Sequence, residues 1–153
     1  MKTVIKILGF ALLFLIALPN VLFSQDTTIC HLLGKNTQAV VNKYGKPLHQ
    51  DKSDPTMECT FYQSKTSRMA FIANKSGVYQ IQVDYYYNSK DKADDAISGF
   101  LSTCGSKSMQ IDTVNTGDYR ILGTGVRMSL TLFQNTYSKK YEVKFKADKS
   151  EIQ

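Results

Sequence analysis

The chain is poor in the side chains that catalytic and metal sites require. Of 153 residues only two are histidine, His31 and His49, and three are cysteine, Cys30, Cys59 and Cys104. Nucleophilic catalysis needs a serine or cysteine beside a histidine that a third group orients. Cys30 and His31 are adjacent, so on a helix their side chains diverge. A cysteine–histidine enzyme would therefore have to pair Cys30 with His49 across the fold. Zinc ligands come in close pairs, and Cys30, His31, His49 and Asp51 lack that spacing. No glycine-rich phosphate loop is present, because Gly117, Gly123 and Gly125 fall at strand ends and turns. Asp94-Asp95 is the only adjacent acid pair, and it falls on the solvated side of a helix rather than in the cleft a glycosidase needs. There is no Lys/Arg cluster, so nucleic acid is not an expected partner. None of these patterns calls for a cofactor or a metal.

Long apolar runs are missing too. Ile7 to Leu18 is twelve residues, short of the roughly 20 that span a bilayer. Lys2 and Lys6 precede the run, Pro19-Asn20 ends it, and small Ser24 stands before Gln25. Basic start, apolar centre and small residue together predict a secretory signal peptide over residues 1–24. A lipid-attachment cysteine would follow the apolar centre directly, and Cys30 lies well past it behind Thr27, Thr28 and Ile29. The expected product starts near Gln25, carries no stable membrane anchor, and works in the periplasm or outside the cell.

Residues 25–153 number 129, the size of one domain. Such a chain buries roughly two-thirds of its unfolded surface and needs no dense disulfide framework. Without Lys2 and Lys6, 17 of the 19 basic residues face 13 acids, a net +4. That charge permits contact with anionic envelope surfaces.

Residues 26–33 read as a short first helix with Asp26 or Thr27 as cap. Asn36 caps a second, Thr37 to Tyr44, which Gly45 and Pro47 end. Asp51 to Pro55 is turn-rich. Strands are predicted over 57–63, 68–73 and 79–85, with a hairpin turn at Asn74–Gly77. In the first, Met57, Cys59 and Phe61 are assigned to the core face. In the third, Tyr79, Ile81, Val83 and Tyr85 alternate with Gln80, Gln82 and Asp84, the period of a half-buried strand.

Ala93, Ala96, Ile97, Phe100, Leu101 and Cys104 form one apolar stripe on a helix from Ser89 to Cys104. Gly105 takes the helix-stop position, and 105–117 reads as a polar loop. Three more strands follow, 118–124, 126–134 and 140–147. In the last, Tyr141, Val143 and Phe145 alternate with Glu142, Lys144 and Lys146. The tail from Asp148 reads as frayed. The predicted class is α+β: helix then three strands, twice, over halves 26–88 and 89–147. Six antiparallel strands would form one sheet with the helices on one face. Local echoes, such as Arg68-Met69 and Arg127-Met128, fit a tandem repeat. Cys59 facing the helices and Cys104 ending their stripe predict a disulfide, with Cys30–Cys104 as the alternative.

Alternation also points Tyr86 outward, with Gln80, Gln82, Asp84, Ser129, Thr131, Lys144 and Lys146 on the same open sheet face. Tyrosine is enriched at protein-binding surfaces. The segment Leu32 to Tyr62 resembles the repeat of the β-lactamase-inhibitor-protein-like superfamily and the small outer-membrane assembly lipoproteins of the BamE type. Gly34, Val40, Val41, Gly45, Pro47 and Tyr62 carry the resemblance. It implies tandem helix-plus-sheet units whose open face binds another protein, and no catalytic residues. The expected function is thus a non-catalytic protein-binding module of the cell envelope. The alternatives are a carrier of small apolar ligands held between helices and sheet, and the Cys/His enzyme.

Overall fold

A computed structural model describes residues 27–150. The expected signal segment, residues 1–24, and the Asp26 cap lie outside them. Thr27–Leu32 is a 3-10 helix, and α1 spans Thr37–Tyr44. The Asn36 side chain accepts a hydrogen bond from the Ala39 amide at 3.0 Å, closing the open start of α1. Gly45 ends it in the left-handed region, φ 79°, with its amide on the Val41 carbonyl at 2.8 Å. Four strands follow: β1 (His49–Asp51), β2 (Glu58–Gln63), β3 (Ser67–Asn74) and β4 (Gly77–Tyr87). Next comes α2, Lys90–Ser106, capped by Ser89. The last four strands are β5 (Gln110–Asn115), β6 (Asp118–Gly123), β7 (Val126–Gln134) and β8 (Tyr141–Lys149).

Among the described residues, eight strands form one antiparallel sheet in the order β1-β2-β3-β4-β8-β7-β6-β5. Two four-strand meanders therefore meet at the β4–β8 seam. The α+β class and the single antiparallel sheet agree with expectation; the strand count does not. β1 is three polar residues, too short for alternation to register. β5 was expected within the polar loop 105–117. It is an edge strand with mostly exposed side chains, so its composition is that of a loop. β8 runs to Lys149 instead of fraying at Asp148, because Asp148 pairs in register with both Gln80 and Arg127. Nor does Gly105 stop α2. The helix continues to Ser106, and Ser108 takes the left-handed position at φ 56°.

The described helical elements all pack on one face of the sheet. Ala93, Ile97, Phe100 and Cys104 of α2 are buried there against Ile81, Val83, Leu130, Val143 and Phe145. The Phe100 and Phe145 rings meet edge to face at 5.3 Å. Val40 and Tyr44 of α1 cover the β2–β3 end, where Tyr44 lies 5.4 Å from Phe71 and 5.5 Å from Tyr62. Gly77 has φ 103°, and a Cβ there would stand 2.7 Å from the backbone oxygens of Gly34 and Lys35. Only glycine lets the 34–35 turn close on β4, where the Gly34 amide bonds the Val78 carbonyl at 2.7 Å.

One strand is inverted relative to expectation. On β2 the core face carries Thr60, 2% exposed, and Tyr62; Cys59 and Phe61 face the other way. Register decides this. Thr60 and Tyr62 pair with Phe71 and Met69 of β3, and those pair with Ile81 and Val83 of β4. The Tyr62 hydroxyl donates to the Gly45 carbonyl at 3.0 Å, which satisfies its polar end inside the layer.

Candidate functional site

The uncovered face is built by the same pleat that builds the core, one residue out of phase. Register puts all eight expected site residues on it. Gln82 pairs with Lys146 and Lys146 with Ser129; Asp84 pairs with Lys144 and Lys144 with Thr131. Gln80 and Tyr86 belong to the same alternate set on β4. Several of them are engaged by neighbouring side chains of the face. Arg68 donates to Asp84 from Nη2 at 2.8 Å and Nε at 3.3 Å. Gln80 Nε2 donates to Asp148 at 2.9 Å, and Lys146 pairs with the same carboxylate at 3.3 Å. Lys144 Nζ lies 4.8 Å above the Phe133 ring. Such exposed pairs each contribute little, and Arg120, Arg127 and Lys144 on the same face make no ion pair with the described residues.

At the seam's end the face becomes concave. A groove of about 830 Å³ lies between the β2–β3 and β7–β8 turns, with Tyr86 and Glu142 lining it. These two residues pair across β4 and β8, and Glu142 pairs onward with Phe133 of β7. Gln63, Ser64, Lys65 and Leu48 line the groove on one side, Asn135, Ser138 and Lys140 on the other. Both turns are tied down. Ser64 Oγ accepts from the amides of Thr66 and Ser67 at 3.2 and 3.0 Å, and the Tyr86 amide holds the Thr66 carbonyl at 2.9 Å. Asn135 Oδ1 accepts from the amides of Tyr137 and Ser138, both at 3.0 Å. Its Nδ2 donates to Glu142 Oε1 at 2.7 Å. One asparagine thus fixes the turn and touches the groove floor.

The electrostatics follow from burial and the two neighbouring acids. Burial pushes the Tyr86 phenol above its usual range; the Arg68 charge opposes this, and Asp84 and Glu142 add to it. The hydrogen bond with Asp84 is the main reason the Arg68 guanidinium is held above its usual range. Of the groove residues only Tyr86 was among the expected site residues. Glu142 was assigned to the solvated side of its strand, which is its correct face. Its burial arises from the β7–β8 turn and its cross-strand neighbours, which alternation does not encode.

The other expectations resolve differently. No disulfide joins the cysteines. Cys59 stands on the open face while Cys104 is buried beneath α2, so the sheet separates the expected pair. Cys30 of the 3-10 helix directs its thiol to Met128 Sδ at 3.5 Å, on the covered face. His49 stacks on Phe61 at 5.9 Å on the opposite face, so Cys30 and His49 form no dyad. Between α2 and the sheet the space lined by Ile97, Phe100, Leu130 and Phe145 is only about 10 Å³. That holds about one water, while a larger open cleft of about 430 Å³ flanks it, lined by Ile97 of α2 and by Tyr119, Leu132 and Tyr141 of the sheet. Among the described residues no three of His, Cys, Asp and Glu gather as metal ligands. Among them too, no helix is long and apolar enough to cross a membrane.

No protein-family model matches the chain, and no curated protein does. Solved structures with a partial likeness in chain path include two. One is an extracellular protein containing an SCP domain from Bacillus anthracis str. Ames, 13% identical with a TM-score of 0.48, matched over 80% of this chain and 46% of that one. The other is a cysteine-rich secretory protein from Staphylococcus aureus subsp. aureus Mu50, 10% identical with a TM-score of 0.38, matched over 75% of this chain and 44% of that one. The chain thus spans less than half the length of either.

Proposed function

We propose that this chain is an exported, non-catalytic binding module that holds another envelope or secreted protein on its open sheet face. In this reading residues 1–24 are removed on export, no lipid or helix anchors the product, and the halves 26–88 and 89–147 are unequal copies of one helix-plus-meander unit. The observation that carries the proposal is the groove at the β4–β8 seam. It is an open groove with tied-down walls, an aromatic ring and a carboxylate, at the end of a polar face on which Arg68 pairs with Asp84 and Lys146 with Asp148. Fixed walls favour binding because little entropy remains to be lost when a partner docks.

The test is affinity capture from envelope extract with the mature protein and a Tyr86→Ala, Lys144→Glu double variant. Loss of the same partners from the variant, with an unchanged circular dichroism spectrum, supports the reading. Identical capture by the two proteins would sink it. N-terminal sequencing of the exported product tests the other half: a start near Gln25 is expected, and a retained Met1 contradicts release.

A further inference from the structure

Glu142 is the one buried acid among the described residues. It is 8% exposed, and its one side-chain hydrogen bond among the described residues is from Asn135 Nδ2 to Oε1. No lysine, arginine or histidine nitrogen among the described residues comes within 4 Å of it, whereas Asp84 has Arg68 and Asp148 has Lys146. Lys140, two residues earlier and lining the same groove, does not close on it. Arg68 acts on it only through space, and burying a carboxylate without a cation in contact is costly. Here the group lines an open groove, so the missing charge can come from outside.

Three features define what would bring it. The Tyr86 ring lies beside the carboxylate across the β4–β8 pair, and an aromatic face attracts a cation. The groove, about 830 Å³, is far larger than one ion and suits a stretch of chain. Lys65 and Lys140 line it on opposite sides, so a uniformly basic ligand would be repelled there while acids beside a central cation would be drawn in.

We infer that the groove receives an arginine or lysine side chain from an acidic segment of a partner protein, the cation meeting Glu142 and Tyr86 and the flanking acids meeting Lys65 and Lys140. The inference rests on the reading of this face as a protein-binding surface and adds the chemistry of the partner.

The probe is a fluorescein-labelled, end-blocked peptide, Gly-Glu-Gly-Arg-Gly-Glu-Gly, titrated with mature protein at low salt and followed by anisotropy. Comparison peptides replace the arginine by glutamine, or both glutamates by glutamine; arginine amide alone is the small-amine control. Glu142→Gln should weaken the arginine peptide at least about tenfold and leave the glutamine peptide unchanged, the signature of a direct pair. The Lys65→Glu, Lys140→Glu variant, altered only at the groove's lysines, should abolish the advantage of the acidic flanks. Glu142→Gln should melt no lower than the parent, because it removes a buried charge. Equal binding of both peptides by the parent, parent-like binding by Glu142→Gln, arginine amide binding as tightly as the peptide, or no saturable binding below about 1 mM would each overturn the inference. Capture from envelope extract separates the two readings. If the Tyr86→Ala, Lys144→Glu variant loses partners while Glu142→Gln keeps them, the binding face stands and the cation pocket falls; if neither loses any, both fall.

Discussion

The two faces of this sheet come from the same eight strands and behave as different materials. On β8, Phe145 points to α2 and is 3% exposed, while its neighbours Lys144 and Lys146 point to solvent. The covered face is continuous and apolar, with Phe71, Ile81, Val83, Met128, Leu130 and Val143 in register across it. The open face is polar and charged, with the Arg68–Asp84 and Lys146–Asp148 pairs, and ends in a groove. Stability lives on the first, and the proposed recognition would use the second. Hydrophobic burial scales with area and tolerates no water, whereas exposed pairs contribute little to folding and can be exchanged for a partner's groups.

Neighbouring substitutions on one strand give the sharpest test. Phe145→Ala should cost about 3–5 kcal/mol in urea unfolding, through lost transfer energy and the cavity left behind. Lys144→Ala, one residue away, should change stability by no more than about 0.5 kcal/mol. Similar losses at both sites would break the distinction between the faces. Gly77→Ala should cost about 2–3 kcal/mol, since its Cβ would drive apart the 34–35 turn and β4 in a backbone conformation alanine adopts poorly. A parent-like melting temperature would mean that this docking of the turn is not required.

Tyr62→Phe tests the inverted strand. It removes one hydrogen bond to the Gly45 carbonyl and should cost about 1 kcal/mol; no cost would place Tyr62 in water. Burial also raises the Tyr62 phenol above its ordinary 10.0. Just above pH 10 the unfolded chain has released this proton and the folded chain has not, so stability falls as pH rises there. Replacing Tyr62 by Phe should make the alkaline fall shallower. The smallest effect concerns the thiols. Mass spectrometry of denatured, unreduced protein should find Cys30, Cys59 and Cys104 all alkylated. Burial raises the Cys104 and Cys59 thiols, so both should react slowly in the folded state.

Much of the covered face was readable before the fold was known. The α2 stripe and the alternation of β4 and β8 are strong periodic signals, because the helix and the central strands each bury one side over many residues. β2 misleads for the same reason in reverse. Met57-Glu58-Cys59-Thr60-Phe61-Tyr62 has bulky or apolar groups at both phases, and composition alone favoured the wrong one. Register against Phe71 and Met69 then buried a threonine and left a phenylalanine outside. β5 hid because an edge strand with mostly wet side chains has no apolar side to reveal it.

The open face divides in the same way. Its eight expected residues are where alternation put them, since a pleat assigns faces by parity alone. The groove was invisible, because Ser64, Lys65 and Asn135 come from two turns far apart in sequence and Glu142 from the strand after the second. Local pattern determined which side chains share a face and which helix covers the other. Only the tertiary structure decided the order of the strands, the meeting of the two meanders at β4 and β8, and the burial of Glu142 beside Tyr86. Those outcomes depend on long-range pairing across the sheet, for which no stretch of neighbouring residues carries the information.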